Sequence, residues 1–185
     1  MEKYSKTANL MLCALFAALT AVCSFISIPL PFTPVPVNLA TLAVFLAGGL
    51  LGYKYGTISQ LVYIVLGAAG IPVFHNFTGG VGILAGPTGG YIIGYAAAAF
   101  LAGAVIHLAK KKDSFLTLAG AMLVGLASCY LLGTIWFMVS SGSGLFVSLA
   151  ACVIPFLPGD GLKIVAACLL IKKLRPVLAR SFVLK

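Results

Sequence analysis

The sequence predicts an all-α integral membrane protein with six transmembrane helices, and three observations lead to that fold class. Residues of the set AVILMFWYC make up 62% of the 185-residue chain, only 8% are charged, and the mean hydropathy is +1.15. Apolar runs recur at intervals that fit bilayer crossings, and basic residues occupy every second connection between them. A soluble globule of this size has too little interior for so much apolar side chain. A soluble enzyme, a disordered chain and a secreted disulfide scaffold are therefore excluded.

Six apolar runs are assigned to bilayer crossings, the last of which reaches crossing length if its helix continues from Pro158 to Pro176. Together they leave room for only a single domain over 1–185. They cover residues 8–29, 37–53, 55–71, 90–109, 115–140 and 158–171. A further apolar piece at 144–157 is too short for a separate span, so we expect an outer interfacial or re-entrant segment there. The first run also resembles a signal peptide. It is longer than the apolar region of a typical one and lacks a small-residue cleavage site, which favours a span.

The basic residues predict the orientation of these spans. The connections 30–36, 72–89 and 141–143 contain no Lys or Arg. All basic residues except Lys163 lie in the alternate connections or at the chain ends, namely Lys3, Lys6, Lys54, Lys110, Lys111, Lys112, Lys172, Lys173, Arg175, Arg180 and Lys185. The positive-inside rule then predicts a multi-pass protein of the cell membrane with both termini in the cytoplasm. The net charge of +9 is a topology signal on this interpretation, and no nucleic-acid partner is expected.

The connections on the predicted outer side carry most of the proline and glycine. Residues 29–36, PLPFTPVP, cannot continue a helix because proline fixes φ and lacks an N–H donor, so a stiff loop is expected. Residues 71–90, IPVFHNFTGGVGILAGPTGG, are uncharged and rich in glycine. Their backbone N–H groups could form a nest for an anionic or carbonyl oxygen. The same composition also fits a flexible hairpin between two spans, and spacing alone does not decide between the two.

Asp160 and Lys163 are the only ionisable pair that falls outside the predicted cytoplasmic clusters. If the last helix begins at Pro158, both lie in its first, outer turn and share one face. Ionisable groups at membrane depth are costly unless they are paired or functional. A carboxylate beside an ammonium would suit a small solute that displays both donors and acceptors. The alternative is an ion pair that only holds the end of the helix.

The sequence offers no material for catalysis or for metal binding. Five cysteines lie in apolar runs without CxxC spacing, which indicates small buried hydrophobic residues: Cys13, Cys23, Cys129, Cys152 and Cys168. Nucleotide-binding, zinc-protease and hydrolase motifs are absent, and His75 and His107 are far apart. We therefore expect no enzyme and no cofactor, and any coupling to ATP must come from a partner. A self-sufficient carrier or channel remains an alternative, although the spans contain few polar residues besides Gln60.

Three stretches of the chain together resemble one family. They read FISIPLPFTPVPVNLATLAVFLAGGLLG, GIPVFHNFTGGVGILAGPTGGYIIGY and IPFLPGDGLK, and they occur in this order. The chain thereby resembles the BioY family, the biotin-binding S components of energy-coupling factor (ECF) transporters. The resemblance implies six spans, high-affinity capture of biotin near the outer face, and assembly with a transmembrane coupling subunit and two cytoplasmic ATPases. An S component for another small vitamin, or a stand-alone carrier, is the alternative.

The resemblance also implies which residues contact the ligand. Asp160 and Lys163 match the PGDxxK pair at the ligand. Asn76, Gly79 and Gly80 match the contacts from the third loop, and Tyr91 follows the GPTGG turn.

The chemistry of biotin agrees with these positions. Its ureido ring has two N–H donors and one carbonyl, which suit Asp160 and Lys163 respectively. Its apolar parts would contact Phe74, Phe77 and Tyr91. The carboxylate would be held by backbone N–H groups of the third loop and by hydroxyls such as those of Thr78 or Thr88.

Two positions depart from the family pattern. Ala40 stands where the family often has glutamine, and Ile92 stands where some members carry an arginine that could meet the carboxylate. The partner of the carboxylate is therefore open at the level of the sequence.

Small residues in the first span predict a helix contact. Ala14 and Ala18 are four apart, as are Ala17 and Ala21, and this spacing lets another helix approach closely. Packing within the bundle explains the spacing equally well. The family resemblance implies that Ala14 and Ala18 form the docking surface for the coupling subunit.

Overall fold

The protein is mostly helical, with one short sheet between the first two helices. The computed structural model describes residues 5–31 and 33–182, so Lys3 and Lys185 of the predicted basic clusters lie outside the described residues. The strands are β1 (Ser27–Leu30) and β2 (Thr33–Asn38). The helices are α1 (Lys6–Phe25), α2 (Ala40–Ala68), α3 (Val81–Ala85), α4 (Gly89–Leu108), α5 (Phe115–Ser141), α6 (Leu145–Cys152) and α7 (Leu157–Phe182).

In the described part of the chain, four stretches of helix are long and apolar enough to cross a membrane. They are Lys6–Phe25, Gly89–Leu108, Phe115–Ser141 and Leu145–Arg180, the last of which contains both α6 and most of α7. Their outward faces carry large apolar side chains that are exposed; on α1, for example, Leu10 is 65% exposed and Leu15 is 60% exposed. Helices that are apolar on all sides are typical of a lipid environment. The structure thus supports a multi-pass membrane protein.

The element α2 turns back on itself at Gly52. This residue has φ 78° and ψ −179°, a conformation that favours glycine. A Cβ atom on Gly56 would lie only 2.8 Å from the carbonyl oxygen of Ala47, so the two halves of α2 are in close contact. The halves, 40–51 and 53–68, correspond to the second and third predicted runs. The break lies at Gly52 and not at Lys54, where the sequence had suggested it.

The proline-rich segment forms a sheet, so the expectation of an all-α protein with a plain loop was incomplete. β1 and β2 pair antiparallel, with Ser27 opposite Asn38 and Ile28 opposite Val37. In a two-stranded sheet each strand has an outer edge, where a residue without an N–H costs no ladder hydrogen bond. Proline therefore excludes a helix here, as expected, but it does not exclude a strand.

The other two connections that the sequence predicts to be on the outer side contain short helices. The glycine-rich connection holds one turn of 3₁₀ helix at His75–Phe77 and then α3. The piece predicted as interfacial forms α6, followed by a second turn at Ile154–Phe156. α7 begins at Leu157, one residue before the predicted start, and it continues through Pro176 well beyond the predicted apolar run.

Small residues and one arginine join the helices. A Cβ atom on Gly48 would lie 2.7 Å from the carbonyl oxygen of Ala99, so the backbones of α2 and α4 touch. Arg175 in α7 donates to the carbonyl oxygens of Gly49 and Lys112 at 2.8 and 3.0 Å and pairs with the Asp113 carboxylate. This guanidinium links α7 to α2 and to the α4–α5 connection.

Candidate ligand-binding site

Asp160 and Lys163 form a buried ion pair at the start of α7, as the spacing predicts. The Lys163 Nζ atom lies 2.8 Å from Asp160 Oδ1. Lys163 is only 7% exposed and Asp160 is only 2% exposed. Two charges this well removed from solvent need further hydrogen bonds to offset the loss of hydration. The site therefore depends on what else contacts the pair.

Thr41 and Tyr130 complete a polar network around this pair. The Thr41 hydroxyl donates to Asp160 Oδ1 at 3.2 Å and accepts from Lys163 Nζ at 3.1 Å. The Tyr130 hydroxyl donates to Asp160 Oδ2. The sequence analysis missed both residues. Thr41 carried a weak signal, because it follows the proline segment directly, whereas Tyr130 lies in an apolar run and had none.

Within the described residues, the network leaves one N–H of Lys163 and one acceptor position of Asp160 without a partner. Lys163 has three N–H donors, of which Asp160 and Thr41 take two. Asp160 Oδ1 accepts two hydrogen bonds, whereas Oδ2 accepts one, from Tyr130. A ligand that presents an N–H group next to a carbonyl oxygen would satisfy both remaining positions.

The ion pair forms one side of a cavity between the helices and the segments that connect them. The cavity has a volume of about 50 Å³, so a ligand much larger than a few water molecules must displace part of the wall. Aliphatic and aromatic side chains make up most of this wall. The lining residues are Val35, Pro36, Asn38, Thr41, His75, Thr88, Tyr91, Ile92, Tyr95, Cys129, Tyr130, Cys152, Phe156, Asp160 and Lys163.

Four of the eight residues that the sequence analysis proposed for ligand contact line this cavity: Thr88, Tyr91, Asp160 and Lys163. Tyr91 is 7% exposed, and its hydroxyl donates to the carbonyl oxygen of Cys152 at 3.3 Å. Its ring position is thus held by α6 while one face borders the cavity. The structure brings these four residues together from the start of α4 and the start of α7.

The other four residues are close in sequence to residues that line the cavity, but they do not line it themselves. Phe74 is fully buried against Tyr63, with ring centroids 5.4 Å apart. Asn76 has φ 55°, and its Oδ1 atom accepts from the Ser27 hydroxyl at 3.2 Å. Gly79 packs on the carbonyl of Ile71, and Gly80 has φ 97°. These residues belong to the connection between α2 and α4. Their contact with a ligand stays a prediction.

Phe77 and Thr78, also proposed from the sequence, have partners within the protein. Phe77 stacks on Phe25 with ring centroids 4.2 Å apart and is 66% exposed. The Thr78 hydroxyl donates to the carbonyl oxygen of His75 at 2.8 Å. Neither residue lines the cavity.

His75 lines the cavity although the sequence analysis gave it no role. Both of its ring nitrogens are buried, and neither has a hydrogen-bond partner within the described residues. Burial lowers the pKa of this histidine from its usual value. Its only sequence signal was its position inside the glycine-rich connection.

The two departures from the family pattern lie in different surroundings. Ile92 is 4% exposed and lines the cavity, so an apolar side chain occupies the position where some family members carry arginine. Ala40 is fully buried and is absent from the cavity wall. No basic residue other than Lys163 lines the cavity within 5–31 and 33–182.

The two alanine pairs of α1 differ in their exposure. Ala14 and Ala18 are exposed, whereas Ala17 and Ala21 are buried in the core. The outward pair is available to a partner helix, and the inward pair is explained by packing within the bundle. Docking of the coupling subunit on Ala14 and Ala18 stays a prediction.

The fold and the site together define a class: a helical membrane protein with a cavity beside a buried ion pair. The profile of the BioY family matches residues 1–180, and the chain belongs to the BioY family. It is 39% identical to the biotin transporter BioY of Thermotoga maritima over 90% of this chain and 95% of that protein. It is 41% identical to the probable biotin transporter BioY of Pyrococcus horikoshii, covering 92% of this chain and 98% of that one.

A solved structure has the same fold. It is the S component for biotin from an ECF-type ABC transporter, with a TM-score of 0.85 and 32% identity over 92% of each chain. The sequence-based expectation of a transport protein of this family, and not of an enzyme family, is confirmed by these relatives.

Proposed function

We propose that this protein captures biotin with high affinity as the membrane-embedded substrate-binding component of an ATP-driven ECF transporter. The observation that carries the proposal is the buried network of Asp160, Lys163, Thr41 and Tyr130 at the wall of the cavity. Family membership and the names of the relatives agree with it.

The ureido ring of biotin fits the two positions that the network leaves open. One ring N–H would donate to Asp160 Oδ2, and the ring carbonyl would accept the third N–H of Lys163. Hydrogen bonds to charged groups are about twice as strong as neutral ones, and they are strongest where water is excluded. Asp160 and Lys163 are nearly inaccessible to solvent, which supports tight binding.

The apolar part of the ligand would lie against the rest of the wall. Val35, Ile92 and Phe156 are buried side chains that line the cavity. They would cover the thioether ring and the aliphatic chain, whose transfer from water is favourable. Polar groups in the wall fix the orientation and so supply specificity.

The function requires a site that opens to the outside, with six spans and both termini in the cytoplasm. The two halves of α2, which meet at Gly52, would form two further spans beside the four long helices. Basic side chains from separate parts of the chain line one groove of about 850 Å³ and support a common cytoplasmic side: Lys6, Lys54, Lys112, Lys172 and Arg175. The cavity with Asp160 would then face the outer leaflet.

Transport requires energy from partners. We infer a transmembrane coupling subunit, bound to the exposed Ala14 and Ala18 of α1, and two cytoplasmic ATPase subunits. Close helix contact across small residues is the means of association in a bilayer.

Calorimetric titration of biotin into the purified full-length protein tests the proposal directly. We expect saturable one-to-one binding and no heat from riboflavin or thiamine, which serve as controls for the alternative of another vitamin. If biotin fails to bind and one of the other vitamins binds, the proposed substrate is wrong.

A further inference from the structure

We propose that His75, with Thr88 beside the same cavity, forms the subsite that holds the carboxylate end of the ligand. The inference rests on the proposed function, because it assumes a ligand with a ureido ring at one end and a carboxylate at the other. The sequence gave His75 no role, and the position where some members place an arginine is isoleucine in this chain.

The carboxylate lacks a cationic partner in this cavity. Lys163 is the one basic residue in the described wall, and its ammonium already contacts Asp160 and Thr41. Its remaining donor is needed at the ureido end of the ligand. The carboxylate must therefore be held by neutral hydrogen-bond donors, which still form stronger bonds to an anion than to a neutral acceptor.

His75 is the side chain in the wall whose hydrogen-bonding groups stand out. Both ring nitrogens are buried without a partner in the described part of the chain, and a buried polar group without a partner is rare in native proteins. Two other donors in the wall have acceptors within the protein. The Tyr130 hydroxyl donates to Asp160, and the Tyr91 hydroxyl donates to the carbonyl of Cys152.

His75 and the ion pair line the same cavity from different parts of the chain. Asp160 and Lys163 come from α7, whereas His75 and Thr88 come from the connection between α2 and α4. All four line one cavity, with Ile92 and other apolar residues also in its wall. A ligand that binds the ion pair with its ring would direct its tail toward this connection.

The protonation state of His75 agrees with a neutral donor. Burial lowers its pKa, so the imidazole is uncharged at neutral pH and carries one N–H donor. The charged groups of the same wall are Asp160 and Lys163, which neutralise each other. The N–H of His75 and the hydroxyl of Thr88 would both point to the carboxylate.

Comparison of biotin with biotin methyl ester tests the subsite. The ester keeps the ureido ring and the chain but has no negative charge. In the full-length protein His75→Phe keeps a planar ring without a donor, and His75→Gln keeps a donor. We expect His75→Phe to weaken biotin binding roughly 10- to 150-fold and ester binding by about 2- to 10-fold at most. The preference for biotin over the ester therefore falls, and His75→Gln retains most of it.

His107→Phe is the matched control, because His107 lies in the groove near Lys54 and does not line the cavity. It should leave both affinities unchanged. Thermal unfolding of each variant in detergent identifies loss of the fold. If His75→Phe does not fold, His75→Ala replaces it, with the same expected loss of preference.

The outcomes separate this inference from the proposed function. If the native protein binds neither biotin nor the ester, the proposed function fails and the subsite fails with it. If the native protein binds biotin but the preference over the ester changes by less than about threefold in His75→Phe, the subsite is wrong while the proposed function stands. An equal loss for both ligands assigns His75 a role in shaping the cavity and also overturns the subsite.

Discussion

Replacement of Asp160 by asparagine removes one charge from the buried pair while keeping the size of the side chain. In the native protein Oδ1 accepts hydrogen bonds from Lys163 and Thr41 at 2.8 and 3.2 Å, and Oδ2 accepts one from Tyr130. An amide has one oxygen and one NH₂ group, so one of these positions becomes a donor that faces another donor. The ammonium of Lys163 also loses its neutralising charge.

The variant should affect binding and stability by different amounts. Loss of one hydrogen bond to a charged group costs about 1.5–3 kcal/mol, which weakens biotin binding roughly 10- to 150-fold. An unpaired buried charge lowers the free energy of unfolding by about 3–5 kcal/mol. Adding Lys163→Met removes that unpaired charge, so the double variant should regain much of the stability, although it offers neither charge to the ligand.

Calorimetry and thermal unfolding of the native protein, Asp160→Asn and the double variant separate the role of the pair in ligand binding from its role in stability. We expect Asp160→Asn to lose affinity and stability, and the double variant to regain stability without affinity. Lys172→Met is the matched control, because Lys172 lies on the same helix but lines the groove at the other end. A double variant that binds biotin like the native protein would falsify the ligand role of the pair and leave only a structural one.

Three further predictions concern topology, docking and the α2 break. In a protein without its native cysteines, a cysteine at Gly82 should react with an impermeant thiol reagent outside intact cells, whereas one at Lys111 should not. Leucine at both Ala14 and Ala18 should leave biotin binding intact but abolish copurification with the coupling subunit and ATP-driven uptake, because added bulk prevents close helix contact. Gly52→Ala should lower the unfolding temperature, since its φ of 78° costs a residue with a side chain about 1–3 kcal/mol.

Each of these predictions has its own control. A cysteine at Thr33 should label like the one at Gly82, and labelling at Lys111 alone would invert the proposed orientation. Leucine at the buried Ala17 and Ala21 should disrupt the core and reduce folding, unlike the exposed pair; unimpaired uptake by the exposed double variant would rule out docking there. Gly120 has no other heavy atom near its Cβ position, so Gly120→Ala should not destabilise α5.

The sequence by itself determined the membrane character and the place of the ion pair. The apolar excess leaves no soluble alternative, because a bilayer is the only solvent for so much exposed aliphatic surface. Asp160 and Lys163 were located at the start of α7 because a helical spacing of three and a nearby proline are local properties of the chain. The spacing of small residues in α1 was also visible in the sequence, but it indicated two alanine pairs that were equally suited to a helix contact.

Only the tertiary structure decided which of those pairs faces outward and which side chains meet the ion pair. Ala17 and Ala21 are buried because that face of α1 packs on the rest of the bundle, which leaves Ala14 and Ala18 exposed. Thr41 contacts Asp160 across 119 residues of chain, and Tyr130 reaches it from a third helix. Neither residue differs from its neighbours in a way that a local pattern could detect.

His75 and the proline segment also show what a local sequence pattern cannot predict. Proline excluded a helix at 29–36 by local sterics, but the pairing of β1 with β2 depends on the register between two separate segments. The burial of both His75 nitrogens depends on surrounding elements that the sequence does not place. Hydropathy and helix periodicity are local quantities and can be read along the chain. Burial and hydrogen-bond partners depend on contacts between distant residues, so they are decided only when the helices pack.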